Sequence, residues 1–138
     1  MFTLSCESTT DLTLNHFNKR GISALPYTYT VDGVEYADDM REGNGLAIFY
    51  NHLIAGKRPT TSLINVEKYA AFFRPLLEKG DLLHVAFGSG LSQSASNAIL
   101  AAEKLKEEFP ERKIYVVDSL CACVGYGLFV DKIGRAHV

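Results

Sequence analysis

Asp81-Leu82-Leu83-His84-Val85-Ala86-Phe87-Gly88-Ser89-Gly90-Leu91-Ser92-Gln93-Ser94 is the stretch that decides the fold. Residues 81–87 are nearly continuously apolar, as an interior parallel strand with both faces covered would be. Gly88-Ser89-Gly90-Leu91-Ser92 breaks that run. Beyond it Ala95, Ala98, Ile99, Ala102 and Leu105 recur at helical spacing, with Glu103, Lys104, Lys106, Glu107 and Glu108 on the wet side, until Pro110 stops the pattern. Residues 114–117 form the next strand, and Asp118-Ser119 stand at its carboxyl end. A strand, a turn, an amphipathic helix and a second strand make one βαβ unit.

The same alternation extends towards the amino terminus. Residues 2–6 predict a strand, and Glu7-Ser8-Thr9-Thr10-Asp11 a polar turn with capping residues. Leu12, Leu14 and Phe17 mark a short helix that Gly21 terminates. Residues 22–31 read as a second strand region, in which Tyr27, Tyr29 and Val31 alternate with Thr28 and Thr30. Asp32-Gly33 turns the chain, and Val34-Glu35-Tyr36 returns as an edge feature. Residues 46–53 predict a helix with Leu46, Phe49, Tyr50 and Leu53 on one stripe. Pro59-Thr60-Thr61-Ser62 reads as a polar loop. Asn65 caps a further helix with Tyr69, Ala70, Phe73, Leu76 and Leu77 inward, and Pro75 predicts a kink or a restart within it. Gly125-Tyr126-Gly127-Leu128-Phe129-Val130 opens a last, apolar helix. The expected architecture is therefore α/β, a mostly parallel sheet with flanking helices.

Composition bounds the function. The 138 residues suffice for one domain with a real core, and 47% hydrophobic with 22% charged residues is globular usage. A net charge of −2 offers no basic footprint, so no nucleic-acid partner is expected. No apolar run approaches a bilayer span, no secretory leader is apparent at Met1, and three cysteines (Cys6, Cys121, Cys123) suit a reducing compartment. The expectation is a cytoplasmic protein with no stable membrane anchor. Cys121-x-Cys123 lacks a second ligand pair, so neither metal nor cofactor is expected, and both cysteines read as small buried residues beside a strand end. The final Ile133-Gly134-Arg135-Ala136-His137-Val138 matches one reading frame of a common sequencing adapter. Residues 1–132 are accordingly read as the natural domain and 133–138 as foreign.

Ligands of open α/β sheets sit beyond the carboxyl ends of the strands. Hydroxyls crowd that edge here: Ser8, Thr9, Thr60, Thr61, Ser62, Ser89, Ser92, Ser94 and Ser96, with almost no His, Lys or Arg among them. The segment 89–94 joins a strand to a helix, where free N–H groups and the positive end of the helix dipole suit a carboxylate or phosphate. The same serines also serve as plain caps. There is no Walker-type Gly-x-x-x-x-Gly-Lys-Ser/Thr sequence and no Gly-x-Ser-x-Gly elbow. His16, His52 and His84 read as packed or surface residues, so a serine nucleophile has no evident base. Asp11 and Asp118 remain an alternative acid and base pair for a hydrolase or phosphotransferase using Ser92. A non-catalytic structural domain is the third reading.

Five motifs in order resemble the DegV family. Glu7-Ser8-Thr9-Thr10-Asp11-Leu12 is similar to its Asp-Ser-x-x-Asp-Leu motif. Leu25-Pro26 with Gly33-Val34-Glu35-Tyr36-Ala37-Asp38 resembles its Pro-Leu segment and Gly-x-x-Tyr-x-Asp hairpin. Pro59-Thr60-Thr61-Ser62 resembles its Thr-Ser-Gln loop, Gly88-Ser89-Gly90-Leu91-Ser92 its Ser-Ser-x-Leu-Ser turn, and Val117-Asp118-Ser119 its Asp-Ser strand end. The resemblance covers residues 1 to about 132. It implies a DegV-like amino-terminal domain of a two-domain lipid-binding protein that holds one long-chain fatty acid in an apolar tunnel. It further implies no enzyme activity of its own, because a separate fatty-acid kinase phosphorylates the presented carboxylate to an acyl phosphate. By position the carboxylate contacts are Thr61 and Ser92, supported by Ser62, Ser89 and Gly90. The remaining polar contacts, a basic residue among them, belong to a second domain. Glu7, Leu63 and Gln93-Ser94 depart from the family's usual Asp, Gln and Gly-Thr.

Overall fold

A computed structural model of the chain describes residues 2–137. In chain order the elements are β1 (Phe2–Glu7), a single 3₁₀ turn (Ser8–Thr10), α1 (Leu14–Arg20), β2 (Ile22–Leu25), β3 (Thr28–Val31), β4 (Val34–Ala37), α2 (Gly45–Ile54), β5 (Thr60–Thr61), α3 (Val66–Leu77), β6 (Asp81–Ala86), α4 (Ser94–Glu108), β7 (Ile114–Asp118) and α5 (Cys123–His137). β2, β1, β6 and β7 pair in that order as a four-stranded sheet, parallel as the sequence predicts. β4, β3 and β5 form a separate antiparallel flap.

Two buried clusters explain why the helices sit where they do. α3 and α4 cover one face of the parallel sheet, where Tyr69, Phe73 and Leu77 meet Leu82, Ala98, Ala102 and Leu105. α1 and α5 cover the other, where Phe17, Tyr126 and Val130 meet Leu4, Cys6 and Val85. Successive residues of β6 feed opposite faces, so a strand apolar on both sides, with His84 as its one buried polar residue, is what this sandwich requires.

Local signals account for the ends. Gly21 closes α1 in the left-handed conformation at φ 62°, with its N–H on the Asn18 carbonyl. The Asn65 side chain accepts from the Lys68 N–H at 2.8 Å and starts α3. Asp32 and Gly33, at φ 49° and 81°, make the two-residue hairpin between β3 and β4.

Three expectations are corrected. Residues 22–31 are not one strand: the chain leaves the parallel sheet at Pro26-Tyr27 and enters the flap. There the Tyr27 N–H donates to Ser8 Oγ at 3.1 Å and its carbonyl accepts from the Asp38 N–H at 2.9 Å. Pro59-Thr60-Thr61-Ser62 is not wholly a loop, because Thr60 and Thr61 pair with Thr30 and Tyr29 as β5. Two residues carry no periodicity, so only the partner strand reveals them. Pro75 does not restart α3, which runs unbroken from Val66 to Leu77; it falls in the last turns, exposed to solvent, and the Glu78 N–H still reaches the Arg74 carbonyl.

Candidate ligand-binding site

Between the flap and the carboxyl edge of the parallel sheet lies a groove of about 320 Å³, at the lower end of small-molecule pockets. Leu12, Tyr27, Tyr29, Met40, Leu46 and Phe49 give it apolar walls, and Thr61 and Ser8 contribute hydroxyls. The Asp39 carboxylate organises its far wall, accepting from the N–H groups of Arg41 (3.0 Å), Gly43 (3.2 Å) and Gly45 (2.8 Å). Those bonds, the one from Gly45 foremost, hold its carboxyl below the usual range. They also fix Met40 and Arg41 at φ 50° and 65° and aim α2 at the flap. α2 buries none of its residues fully. It rests on the flap through Phe49, edge-on to Tyr29 at 5.1 Å, and leaves Leu46, Tyr50 and Leu53 exposed.

Of the residues singled out by sequence, Thr61 lines this groove, while Ser62, Ser89, Gly90 and Ser92 lie outside its wall as described. Thr61 and Ser92 nonetheless belong to segments that are stapled together. The Ile64 N–H donates to Ser94 Oγ at 3.3 Å, and Asn97 Nδ2 donates to the Ile64 carbonyl at 2.8 Å. Ser92 Oγ donates to Ser94 Oγ at 3.0 Å and accepts from the Ser94 N–H at 3.2 Å, so it caps α4 from one residue before Gln93. Ser89 and Gly90 are exposed at the tip of the turn, where the Ser89 N–H donates to Asp118 Oδ1 at 3.1 Å. Gly88 allows this turn to meet the one after β7: a Cβ there would stand 2.9 Å from the Cys121 carbonyl oxygen.

Behind the turn lies a buried polar network that sequence reasoning misses. Ser5 Oγ meets His84 Nδ1 at 2.9 Å, and His84 Nε2 meets Glu7 Oε1 at 3.1 Å. Tyr69 Oη donates to Glu7 Oε1 at 2.5 Å, Tyr126 Oη donates to Glu7 Oε2 at 2.5 Å, and the Phe87 N–H donates to Oε2 at 2.9 Å. Burial acts to raise the Glu7 carboxyl, but His84 and the two phenols outweigh it and leave it lowered. Burial, then Glu7, pushes both phenols up. The Ser5–His84–Glu7 order is that of a hydrolytic triad, yet all three residues are fully buried, so no substrate reaches Ser5. The signal available in sequence was a polar period of two in an apolar strand, Ser5 and Glu7, with His84 directly across from Ser5.

The alternative acid and base pair gains nothing from the geometry. Asp118 is occupied with the N–H groups of Ser89 and Leu120. Asp11 is an exposed cap at φ 60°. Neither is bonded to Ser92 among the described residues. The reading of Cys121 and Cys123 as buried is corrected: Cys121 is half-buried and Cys123 exposed, at the start of α5, whereas Cys6 in β1 is buried. Among the described residues, no group of His, Cys, Asp or Glu is arranged to hold a metal, and no helix is long and apolar enough to cross a membrane. The final helix continues through Ile133, Gly134 and Arg135, and Arg135 joins His16 and Arg20 on the Asp131 carboxylate at 2.8, 2.7 and 3.0 Å.

A parallel αβ sandwich with an antiparallel flap walling an apolar, hydroxyl-bearing groove defines the class of domain. The chain belongs to the DegV family, a family of uncharacterised proteins by its description, whose model matches residues 2–137. A DegV domain-containing protein of Clostridium perfringens is 32% identical over 130 residues, which are 94% of this chain and 45% of that protein. A stearic-acid-binding protein of Eubacterium ventriosum superposes with a TM-score of 0.87 at 26% identity, over 99% of this chain and 47% of the other. A fatty-acid-binding DegV family protein of Thermus thermophilus gives 0.81 at 30% identity, over 99% and 47%. The Streptococcus pneumoniae fatty acid kinase B3 protein, loaded with linoleic acid, shares the fold at 0.79 and 19% identity, over 99% and 48%. The chain thus spans about half the length of the proteins it matches.

Proposed function

We propose that this chain is the amino-terminal half of a fatty-acid-binding protein. In this reading Thr61 and Ser92 hold the carboxylate of a long-chain fatty acid, and Ser62, Ser89 and Gly90 shape the turns around it. The observation that carries the reading is the apolar groove with the Thr61 hydroxyl in its wall, stapled through Ile64 to the Ser92 turn. An acyl chain supplies its own binding energy, about 0.8 kcal/mol per buried CH₂. The head group then needs orientation more than charge, and hydroxyl donors suffice for that. Support comes also from the stearic-acid-binding and fatty-acid-binding relatives of the same fold.

The domain assignment follows the same reading. Residues 1–132 form the natural amino-terminal domain, residues 133–138 derive from a sequencing adapter, and a second domain completes the tunnel and adds a cation. The protein itself performs no chemistry: it presents the carboxylate in the cytoplasm to a separate fatty-acid kinase, which forms the acyl phosphate. Recovery of the genomic locus tests the assignment, and a native stop codon after Val138 overturns it.

Native mass spectrometry of the full-length protein tests the binding. Co-purified fatty acid is expected, and Thr61→Ala with Ser92→Ala is expected to lose it. Full retention in the double variant removes those two residues from the site.

A further inference from the structure

Tyr27 carries a phenol that the binding reading leaves unused. Its side chain lines the groove, and its ring meets Phe87 edge-on with centroids 6.3 Å apart. Its backbone is pinned on both sides by Ser8 Oγ and the Asp38 N–H. Its hydroxyl oxygen is buried and has no hydrogen-bond partner among the described residues. Native folds leave few such groups unpaired. The hydroxyls of Ser94 and Ser92 stand near enough to act on the phenol, and burial, the larger influence, pushes it up, so it keeps its proton.

Ser92 has one proton to give, and here it gives it to Ser94 Oγ. To bind an anion it must turn that proton away. Ser94 can then donate its own proton back to Ser92 Oγ, while its oxygen still accepts from the Ile64 N–H and has room for one further donor. We propose that Tyr27 is a positioning residue that supplies this donor, so that Tyr27, Ser94 and Ser92 form a chain of hydroxyls all pointing at a bound carboxylate. No proton is transferred; each O–H bond only reorients, and aligned hydroxyls strengthen one another. The ligand in this proposal rests on the fatty-acid reading.

Two measurements on the full-length protein test it. With hexadecanoate as the probe, Tyr27→Phe is expected to weaken binding about fivefold, the effect of one hydrogen bond. Without ligand, Tyr27→Phe is expected to leave the melting temperature unchanged or higher, because the lost hydroxyl made no bond. In the Ser92→Ala background Ser94 has lost its donor and Tyr27 replaces it, so there Tyr27→Phe is expected to lower the melting temperature by about 3 °C. An equal thermal effect in both backgrounds overturns the coupling. Unchanged hexadecanoate affinity in Tyr27→Phe, beside a weakened Thr61→Ala, overturns this proposal alone. A wild-type protein that takes up no hexadecanoate overturns the binding reading, and this role with it.

Discussion

Replacing Glu7 by Gln keeps the shape of the side chain and exchanges one acceptor oxygen for an N–H₂ donor. The site offers that donor no good place. Oε1 now faces Tyr69 Oη and His84 Nε2, and Oε2 faces Tyr126 Oη and the Phe87 N–H. An amide nitrogen on the second side meets the Phe87 N–H donor to donor. On the first side it leaves the Tyr69 hydroxyl without its acceptor and forces His84 to accept, with Nδ1 turned to donate to Ser5. Breaking a fully buried charged group away from its partners costs about 3–5 kcal/mol. Unfolding entropy near 2.1 cal/mol/K per residue gives this chain about 0.3 kcal/mol per degree. The melting temperature, followed by circular dichroism at pH 7, is therefore expected to fall by about 10–17 °C. The pH dependence has a definite sign. The folded carboxyl lies below the ordinary value of about 4.3, so the unfolded chain takes up the proton first. Stabilisation is complete above that value and is lost as pH falls through the folded one, so the gap between wild type and variant narrows in acid. A fall under about 3 °C, or a gap that stays constant down to pH 3, refutes the description of Glu7 as the ionised centre of this network.

Three further outcomes are expected. Gly127→Ala places a Cβ 2.3 Å from the Thr10 carbonyl oxygen, so urea unfolding should show a loss of about 2–3 kcal/mol although alanine is the better helix former. Asp131→Asn removes the carboxylate that ties α1 to α5 through His16 and Arg20 and pairs with Arg135 within α5. Burial pushes that carboxyl up, but these partners hold it below the usual range, so the variant should be less stable by about 1 kcal/mol at neutral pH and equal to wild type once acid has protonated the carboxyl. Asn65→Ala deletes the cap on the Lys68 N–H and should cost about 1 kcal/mol in the same urea assay.

What the sequence discloses and what it hides divide along contact range. The apolar run of β6, the Asn65 and Gly21 caps and the Asp32-Gly33 hairpin are local, and each stands where its own residues place it. β5 is hidden because two threonines acquire strand character only from β3 across the flap. The split of residues 22–31 is hidden because both pieces alternate correctly, and only Pro26 and the bond from the Tyr27 N–H to Ser8 separate them. In the sequence Glu7 reads as a turn residue among other polar residues. Its burial depends on two tyrosines that lie 62 and 119 positions away. Thr61 is singled out in the sequence by its motif, whereas the groove it lines is assembled from segments 8 to 61 and carries no contiguous signature.

The sealed network and the open groove are linked by the one property a hydroxyl site depends on. A rim of O–H groups can grip an anion only while every group keeps its proton. Serine and threonine always do near neutral pH, but a phenol in a shared network is the member at risk. Burial raises Tyr27 and Tyr69, and the negative field of Glu7 raises both further. Glu7 sits behind these residues with its oxygens covered by the Tyr69 and Tyr126 protons, so its field reinforces the donors while its own acceptor sites are filled. A cation in the same place would do the reverse, drawing the phenol towards ionisation and turning a donor into an acceptor. A carboxylate held in the proposed groove is then met by donors that do not titrate around neutral pH, and over that range the pH dependence of its capture is set by the acid's own carboxyl group.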